Sequence, residues 1–245
     1  MKRRLISAAA AALTTAGILA LPSVAQEPPT EPITTFKVKS SVVPNKAGTP
    51  RNPQGVKIKA SVSVTTTEGF EKPIFQSGYA LFPRSGNWNG GRYPKCTKRI
   101  LDRDGPKGCP KKSRIGFATG TVYADTVITR PRIEIFNGGA KLAFAYVTLY
   151  HPTLVQEPIP VHIKKLSHPK WKYKVSLKVP ENLQIVAGVP IAARSLKGSV
   201  GRGNIIETTS CPKSRRWPYR AVGKFSNGVT YTYDGSSPCR PASAR

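Results

Sequence analysis

The sequence predicts an all-β protein, a single two-layer antiparallel β-sandwich of about ten strands with an immunoglobulin-like or jelly-roll-like topology. Three observations support this fold class. Apolar and polar residues alternate with period two over most of the chain, turn residues separate the alternating runs, and no strand–helix alternation occurs. The 23 prolines and 21 glycines suit many short connections and argue against long helices.

The clearest strand signal is the run from Val56 to Val64. One face of this run is wholly apolar, and the other consists of two lysines and two serines. Such alternation is typical of a half-buried antiparallel strand with a solvated outer face. Similar runs, rich in Thr, Val, Ile and aromatic residues as strands prefer, cover residues 74–82, 116–123, 132–136, 142–150, 173–179, 191–200, 219–225 and 229–233.

Two hairpins are predicted from their turn residues. Asn137-Gly138-Gly139 and Asn227-Gly228 each lie between two alternating runs. Asn-Gly in this setting indicates a tight hairpin, because the central residues must accept positive φ. Apart from a turn or two of helix expected around residues 98–102, no amphipathic helix is predicted.

The first 25 residues have the pattern of a cleavable signal peptide. Three cations at positions 2–4 precede an uncharged apolar stretch over residues 5–21, and Ser23-Val24-Ala25 offers small residues for cleavage after Ala25. The alternative, an uncleaved anchor, needs roughly 20 apolar residues. We therefore predict a signal peptide over 1–25, a Pro-rich linker over 26–35 and one domain over 36–240. A division into two smaller sandwiches near residues 152–160 stays open.

The chain is strongly basic, with 39 Lys and Arg against 12 Asp and Glu and a net charge of +27. Three of these cations and none of the acids lie in residues 1–25, so cleavage would leave a net charge of +24. Such a charge concentrates polyanions around a protein. For an exported protein, secreted or associated with the cell envelope, the expected partners are anionic cell-wall polymers or lipid headgroups rather than nucleic acid. No transmembrane segment is expected after cleavage.

Four cysteines, an even number, indicate disulfides in an oxidising compartment. Three pairings are possible. Short separation in the sequence favours Cys96–Cys109 and Cys211–Cys239, each of which would stabilise the fold by roughly 3 kcal/mol. A metal site is not expected, because there is no CxxC motif and the histidines lie far from the cysteines in sequence.

Two segments around the cysteines have a distinctive pattern. The first is Tyr93-Pro94-Lys95-Cys96, followed by Cys109-Pro110 and the run from Lys111 to Gly120. The second is Cys211-Pro212-Lys213 through Trp217, before the final hairpin and Cys239. These segments resemble those of a group of exported actinobacterial all-β proteins of no established activity. The resemblance implies an all-β fold, two local disulfides and export, and it implies no activity.

No recognisable catalytic motif is present. A G-x-S-x-G nucleophile elbow and a phosphate-binding glycine loop are both missing from the sequence. Residues 102–105 resemble the start of a calcium loop but lack its further ligands, so a turn is the better interpretation. We therefore expect no catalytic residue, metal or cofactor. The alternative is a secreted polysaccharide or ester hydrolase whose cleft would combine Asp125, Glu134 or Glu157 with a histidine (His151, His162 or His168).

Basic residues concentrate in two segments beside the cysteines. Cations with exposed aromatic residues can hold anionic polymers, whereas the simpler interpretation is a pair of solvated loops with inward-packed aromatics. The function predicted is that of an exported, non-enzymatic cell-surface or secreted module that binds anionic envelope polymers through these loops. The sequence leaves its oligomeric state open. The candidate residues are Lys95, Lys98, Arg99, Lys111, Lys112, Arg114, Lys213, Arg215, Arg216, Trp217 and Tyr219.

Overall fold

The computed structural model describes residues 32–242, and this part of the chain is all-β as the sequence predicts. The predicted signal peptide and residues 26–31 of the predicted linker lie outside the described residues. Two short helices are present, α1 (Lys98–Asp104) and α2 (Glu181–Gln184). The strands are β1 (Thr34–Val43), β2 (Gln54–Gly55), β3 (Lys57–Thr66), β4 (Phe75–Pro83), β5 (Gly86–Trp88), β6 (Arg114–Ala124), β7 (Val127–Thr129), β8 (Arg132–Asn137), β9 (Leu142–Leu149), β10 (Val155–Lys165), β11 (Trp171–Lys178), β12 (Ile185–Val186), β13 (Val189–Val200), β14 (Ile206–Thr208), β15 (Arg216–Phe225) and β16 (Thr230–Pro238).

One large antiparallel sheet dominates the structure. Its strands follow the order β1-β3-β13-β6-β8-β9-β10-β11-β4-β15-β16, while β12 and β7 pair with β13 and β6 beside this path. A separate small sheet has the order β2-β14-β5. The predicted two-layer sandwich, whether immunoglobulin-like or jelly-roll-like, is not confirmed. All the long strands follow one another in the large sheet instead of dividing between two facing sheets.

The large sheet curls until its first and last strands lie side by side, so that it is nearly closed, like a barrel. Side chains bridge this seam. The Tyr219 hydroxyl donates to the Val38 carbonyl at 2.9 Å, and the Ser237 hydroxyl donates to the Ser40 carbonyl at 2.8 Å. Beyond the strand ends, the Ala47 amide donates to the Arg240 carbonyl at 2.8 Å. Closure therefore depends on contacts between residues far apart in the sequence.

The strands predicted from alternation are confirmed. All nine runs correspond to strands, namely β3, β4, β6, β8, β9, β11, β13, β15 and β16. Both predicted hairpins are present, and their glycines Gly139 and Gly228 adopt positive φ values of 123° and 78°. The helix expected around residues 98–102 is α1, whose Thr97 side chain accepts a hydrogen bond from the Ile100 amide.

Two long strands were not predicted. Strand β1 begins at Thr34, inside the predicted linker. Strand β10 contains Pro158 and Pro160, and it crosses the segment where a division into two sandwiches was considered. It pairs with β9 over Val155–His162 but with β11 only from Val161 onwards. The two prolines thus lie where β10 has a single ladder partner, a position that tolerates a missing amide hydrogen.

Inward-facing aromatic rings fill one part of the closed sheet. Phe225 is fully buried and makes edge-to-face contacts with Phe36, Phe75 and Tyr231 at centroid distances of 5.4–6.0 Å. Glycines provide the room for these rings. A Cβ at Gly78 would lie 2.8 Å from the Phe75 ring, which is closer than side chains approach one another. Large and small residues therefore alternate inside the sheet, as in small closed sheets generally.

Two disulfides, Cys96–Cys109 and Cys211–Cys239, hold local loops, and the favoured pairing is confirmed. The first loop packs on the outer face of the sheet, where Cys96, Cys109 and Leu101 form one buried cluster with the strand residues Phe136, Phe144 and Tyr146. In the second, Cys239 packs with Ala47 and Trp217. Each loop thus covers apolar surface that would otherwise face solvent.

Candidate functional site

The first predicted basic cluster lies on the loop closed by Cys96 and Cys109. Its lysines and arginines are exposed because the apolar side of the loop packs on β8 and β9. Two of the six candidates already have acidic partners. The Lys98 ammonium lies 2.7 Å from Asp102, and the Arg114 guanidinium lies 2.9 Å from Glu134. Within the described residues, the candidates of this cluster without such a partner are Lys95, Arg99, Lys111 and Lys112.

In the second predicted cluster, the aromatic residues cannot hold a surface ligand. Trp217 is 3% exposed, and its indole N–H donates to the Ser210 carbonyl at 2.9 Å. Tyr219 is 9% exposed, and its hydroxyl lies in the seam. Both residues belong to the inward face of β15, since strand residues two apart share a face. Lys213, Arg215 and Arg216 remain exposed beside them.

The two predicted clusters lie on different strands of the large sheet. The first lies over β8 and β9, and the second lies at the start of β15. In the order of the sheet, β10, β11 and β4 separate these positions. Strand register places both loops at the same end of the large sheet, three strands apart.

The acids and histidines of the hydrolase alternative are not brought together. Among residues 32–242, no histidine forms an ion pair or hydrogen bond with a carboxylate. Glu134 pairs with Arg114 and Arg132, Glu157 accepts from the Asn182 amide, and Asp125 is exposed at a turn with φ of 56°. The two cavities described below contain no histidine in their linings. The described residues also contain no group of three or more His, Cys, Asp or Glu that could hold a metal ion.

A third basic surface lies on the outer faces of β1, β3, β13 and β6. It contains a shallow groove with a volume of about 590 Å³. We call this surface the lysine groove. Its outward-facing lining residues are Lys39, Ser41, Lys59, Ser61, Phe117, Thr119, Lys197 and Ser199.

Strand register brings the lysines of the groove together. Lys39 pairs directly with Ser61, and Ser61 pairs on its other side with Lys197. Lys59 is two residues from Ser61 on the same strand, so it lies diagonally from both other lysines. Diagonal neighbours of this kind have Cβ atoms about 7–8 Å apart. The three ammonium groups can therefore contact one ligand.

Serine and threonine side chains separate the lysines. Lys59 lies between Ser41 and Ser199, and Lys197 faces Thr119. No two lysines of the groove stand directly opposite each other, an arrangement that would destabilise the sheet. The result is a surface on which cations alternate with hydroxyl groups.

The lysine groove carries uncompensated positive charge. Lys39, Lys59 and Lys197 are exposed, and none forms an ion pair with an acid among the described residues. Lys37 and Lys57, exposed on β1 and β3, extend the same face. The next residue across the sheet from Phe117 is an acid, Glu134 of β8. Its carboxylate already forms ion pairs with Arg114 and Arg132. Phe117, 46% exposed, gives the groove an apolar side.

Sequence reasoning found only part of this surface. The alternation in β3 showed that Lys57, Lys59, Ser61 and Ser63 face outwards. The equivalent residues of β1 and β13 could not be placed beside them, because strand order is a tertiary property. Runs of Lys alternating with apolar residues in more than one strand were the available signal.

Neither a known family model nor a curated protein sequence matches this chain. No helix within residues 32–242 is long and apolar enough to cross a membrane.

Proposed function

We propose that this chain is an exported, non-enzymatic module that binds an anionic polymer of the cell envelope through the lysine groove. One observation carries the proposal, namely that three exposed lysines, which have no acidic partner among residues 32–242, meet on adjacent strands of one sheet. A cluster of like charges raises the energy of the free protein and attracts polyanions. Two disulfides and the leader-like first 25 residues support export.

The composition of the groove favours a phosphodiester polymer with a polyol or sugar backbone. Ammonium groups attract phosphate, and the serine and threonine hydroxyls between them can bond to phosphate oxygens or ligand hydroxyls. Phe117 adds an apolar face that a polyol or sugar unit can cover. A lipid surface is the other source of phosphate, and the experiment distinguishes the two.

The decisive experiment compares two triple variants with the same change in net charge. Lys39→Gln, Lys59→Gln and Lys197→Gln together neutralise the groove, whereas the control neutralises Lys107, Lys111 and Lys112 near the first disulfide. Binding to immobilised poly(glycerol phosphate) is measured between 50 and 300 mM salt. Each exposed contact is worth about 0.5–1 kcal/mol, so the groove variant should bind about 10- to 100-fold more weakly. The slope of log Kd against log salt concentration should be smaller by about 3 for the groove variant than for the unmodified chain.

Three results would overturn the proposal. If the control variant loses as much affinity as the groove variant, binding follows total charge or the loop rather than the groove. If the unmodified chain does not bind the polymer at 50 mM salt, an anionic wall polymer is not its partner. If anionic phospholipid vesicles bind and the soluble polymer does not, the groove is a lipid-binding surface.

A further inference from the structure

A second cavity lies inside the closed sheet, away from the lysine groove. Its volume is about 310 Å³, which falls at the lower end of the range of roughly 300–1,000 Å³ for small-molecule sites. Strands from opposite parts of the closed sheet line it with their inward faces. Strands β5 and β14 of the small sheet contribute one wall. Representative lining residues are Val42, Ile58, Ile115, Ala145, Val175 and Trp217.

The wall of this cavity is aliphatic and aromatic. Side chains that face inwards here, such as Ile58, Ile135 and Val175, are only partly buried because they border the cavity instead of packing against a partner. Protein interiors rarely contain spaces much larger than a water molecule. Ala143 and Ala145, consecutive inward-facing residues of β9, help to create the space because larger side chains there would fill it.

Two buried hydroxyl groups stand at one end of the cavity. Ser85 and Thr208 both line it and are 8% and 6% exposed. The Ser85 Oγ and Thr208 Oγ1 atoms have no hydrogen-bond partner within the described part of the chain. Thr208 pairs with Gly86, and the Thr209 amide donates to the Ser85 carbonyl at 2.8 Å, so the two residues are neighbours across β5 and β14. Neighbouring atoms shield both oxygens from the cavity, so these hydroxyls leave its wall apolar.

The charges around the cavity argue for an uncharged ligand. No lysine, arginine or histidine belongs to the lining, and Glu207 is its single ionisable acid. Glu207 lies between Ile206 and Thr208 on β14, so its side chain points to the opposite face of the strand. A carboxylate ligand would therefore lose its hydration without gaining a cation.

We propose that the cavity binds one uncharged, mainly aliphatic molecule that makes apolar contacts with the wall. The size of the cavity sets the size of the ligand. A cavity of about 150 Å³ in another protein holds benzene, which has six carbons. By proportion, about 310 Å³ suits about twelve non-hydrogen atoms. This second site is independent of the proposed polymer binding.

The test is a calorimetric titration of the oxidised full chain with 2-alkanones from 2-hexanone to 2-tridecanone, two methylenes beyond the expected limit. Each added methylene should tighten binding about fourfold until the cavity is full, near twelve non-hydrogen atoms. Decanoate, which also has twelve non-hydrogen atoms, should bind at least 100-fold more weakly than 2-undecanone at neutral pH. Equal affinity for decanoate, or no binding of any alkanone, overturns the proposal.

Two variants locate the binding inside the sheet. Ala145→Leu adds about three carbons to the wall, so the chain length at which affinity stops rising should shorten by about three methylenes. A variant that is merely destabilised would weaken all alkanones without moving this limit, and an unchanged limit would refute the cavity as the site. Ser85→Ala with Thr208→Val should leave the affinity for 2-undecanone within about twofold, and the folded protein at least as stable, because neither hydroxyl reaches the ligand. A tenfold loss of affinity in that double variant would contradict binding by the apolar wall alone.

Discussion

How much the seam between the first and last strands of the large sheet stabilises the fold can be measured by removing one oxygen atom. Tyr219→Phe deletes the hydroxyl that donates to the Val38 carbonyl at 2.9 Å. Val38 is 7% exposed, and its carbonyl points to the edge of β1 that does not pair with β3. The variant keeps the ring and its packing, so the lost hydrogen bond is the main change.

The expected loss follows from the burial of the carbonyl. Leaving a buried acceptor without a donor costs about 1–3 kcal/mol in the free energy of unfolding. For a domain of this size, about 2 kcal/mol corresponds to a decrease in Tm of about 4–8 °C. Urea unfolding followed by tryptophan fluorescence measures the free energy directly. Adding Ser237→Ala, which removes the second seam hydroxyl, should lower stability further.

Tyr233→Phe is the matched control. Tyr233 stacks on Tyr219 with ring centroids 6.5 Å apart, and its hydroxyl makes no hydrogen bond within residues 32–242. Its loss should change the free energy of unfolding by no more than about 0.5 kcal/mol. Equal effects of the two substitutions would show that the Tyr219 hydroxyl does not hold the seam closed.

Stability measurements can check three other features of the fold. Asn137→Ala should cost about 3 kcal/mol in urea unfolding, because the buried Asn137 amide donates to three loop carbonyls, and a cost below about 1 kcal/mol would contradict this. Replacing Cys211 and Cys239 by alanine should cost about 3.6 kcal/mol against about 3 kcal/mol for the shorter first loop, and the reverse order would contradict the chain-entropy origin. Burial raises the pKa of Tyr146 and Tyr219 above the unfolded value, so stability is retained below about pH 10 and lost as pH rises through the raised values. Tyr219→Phe should reduce the loss of unfolding free energy at alkaline pH. If the free energy of unfolding falls with pH as steeply as in the unmodified chain, the loss does not originate in Tyr219.

The strands were predictable because each carries its own signal. Alternation in β3 or β13 and Asn-Gly turns act over a few residues, so neighbouring sequence is sufficient to indicate them. Strand β10 was missed because Pro158 and Pro160 resemble breaks in a strand. They are tolerated there because β11 does not yet pair with that part of β10, a fact about a distant segment.

The candidate site was predictable only in its chemistry. Basic residues and hydroxyls were visible in the composition, but the densest cations in sequence, Lys111 and Lys112, are not those that the fold gathers on adjacent strands. Trp217 shows the same limit, because its place beside arginines indicated a surface residue while strand alternation buried it. Charge density along a chain does not determine charge density on a surface.

By itself, the sequence determined that this protein is basic and all-β, and it favoured two local disulfides among three possible pairings, since these properties depend on residue type, short-range alternation and small separations between cysteines. The tertiary structure alone decided that one sheet closes on itself instead of two sheets facing each other. It also decided that Lys39, Lys59 and Lys197 share a face, and that Ser85 and Thr208 meet at a cavity. These outcomes depend on strand order and register, which are set by contacts between residues as far apart in the sequence as Lys39 and Ser61, 22 positions, or Ser40 and Ser237, 197 positions.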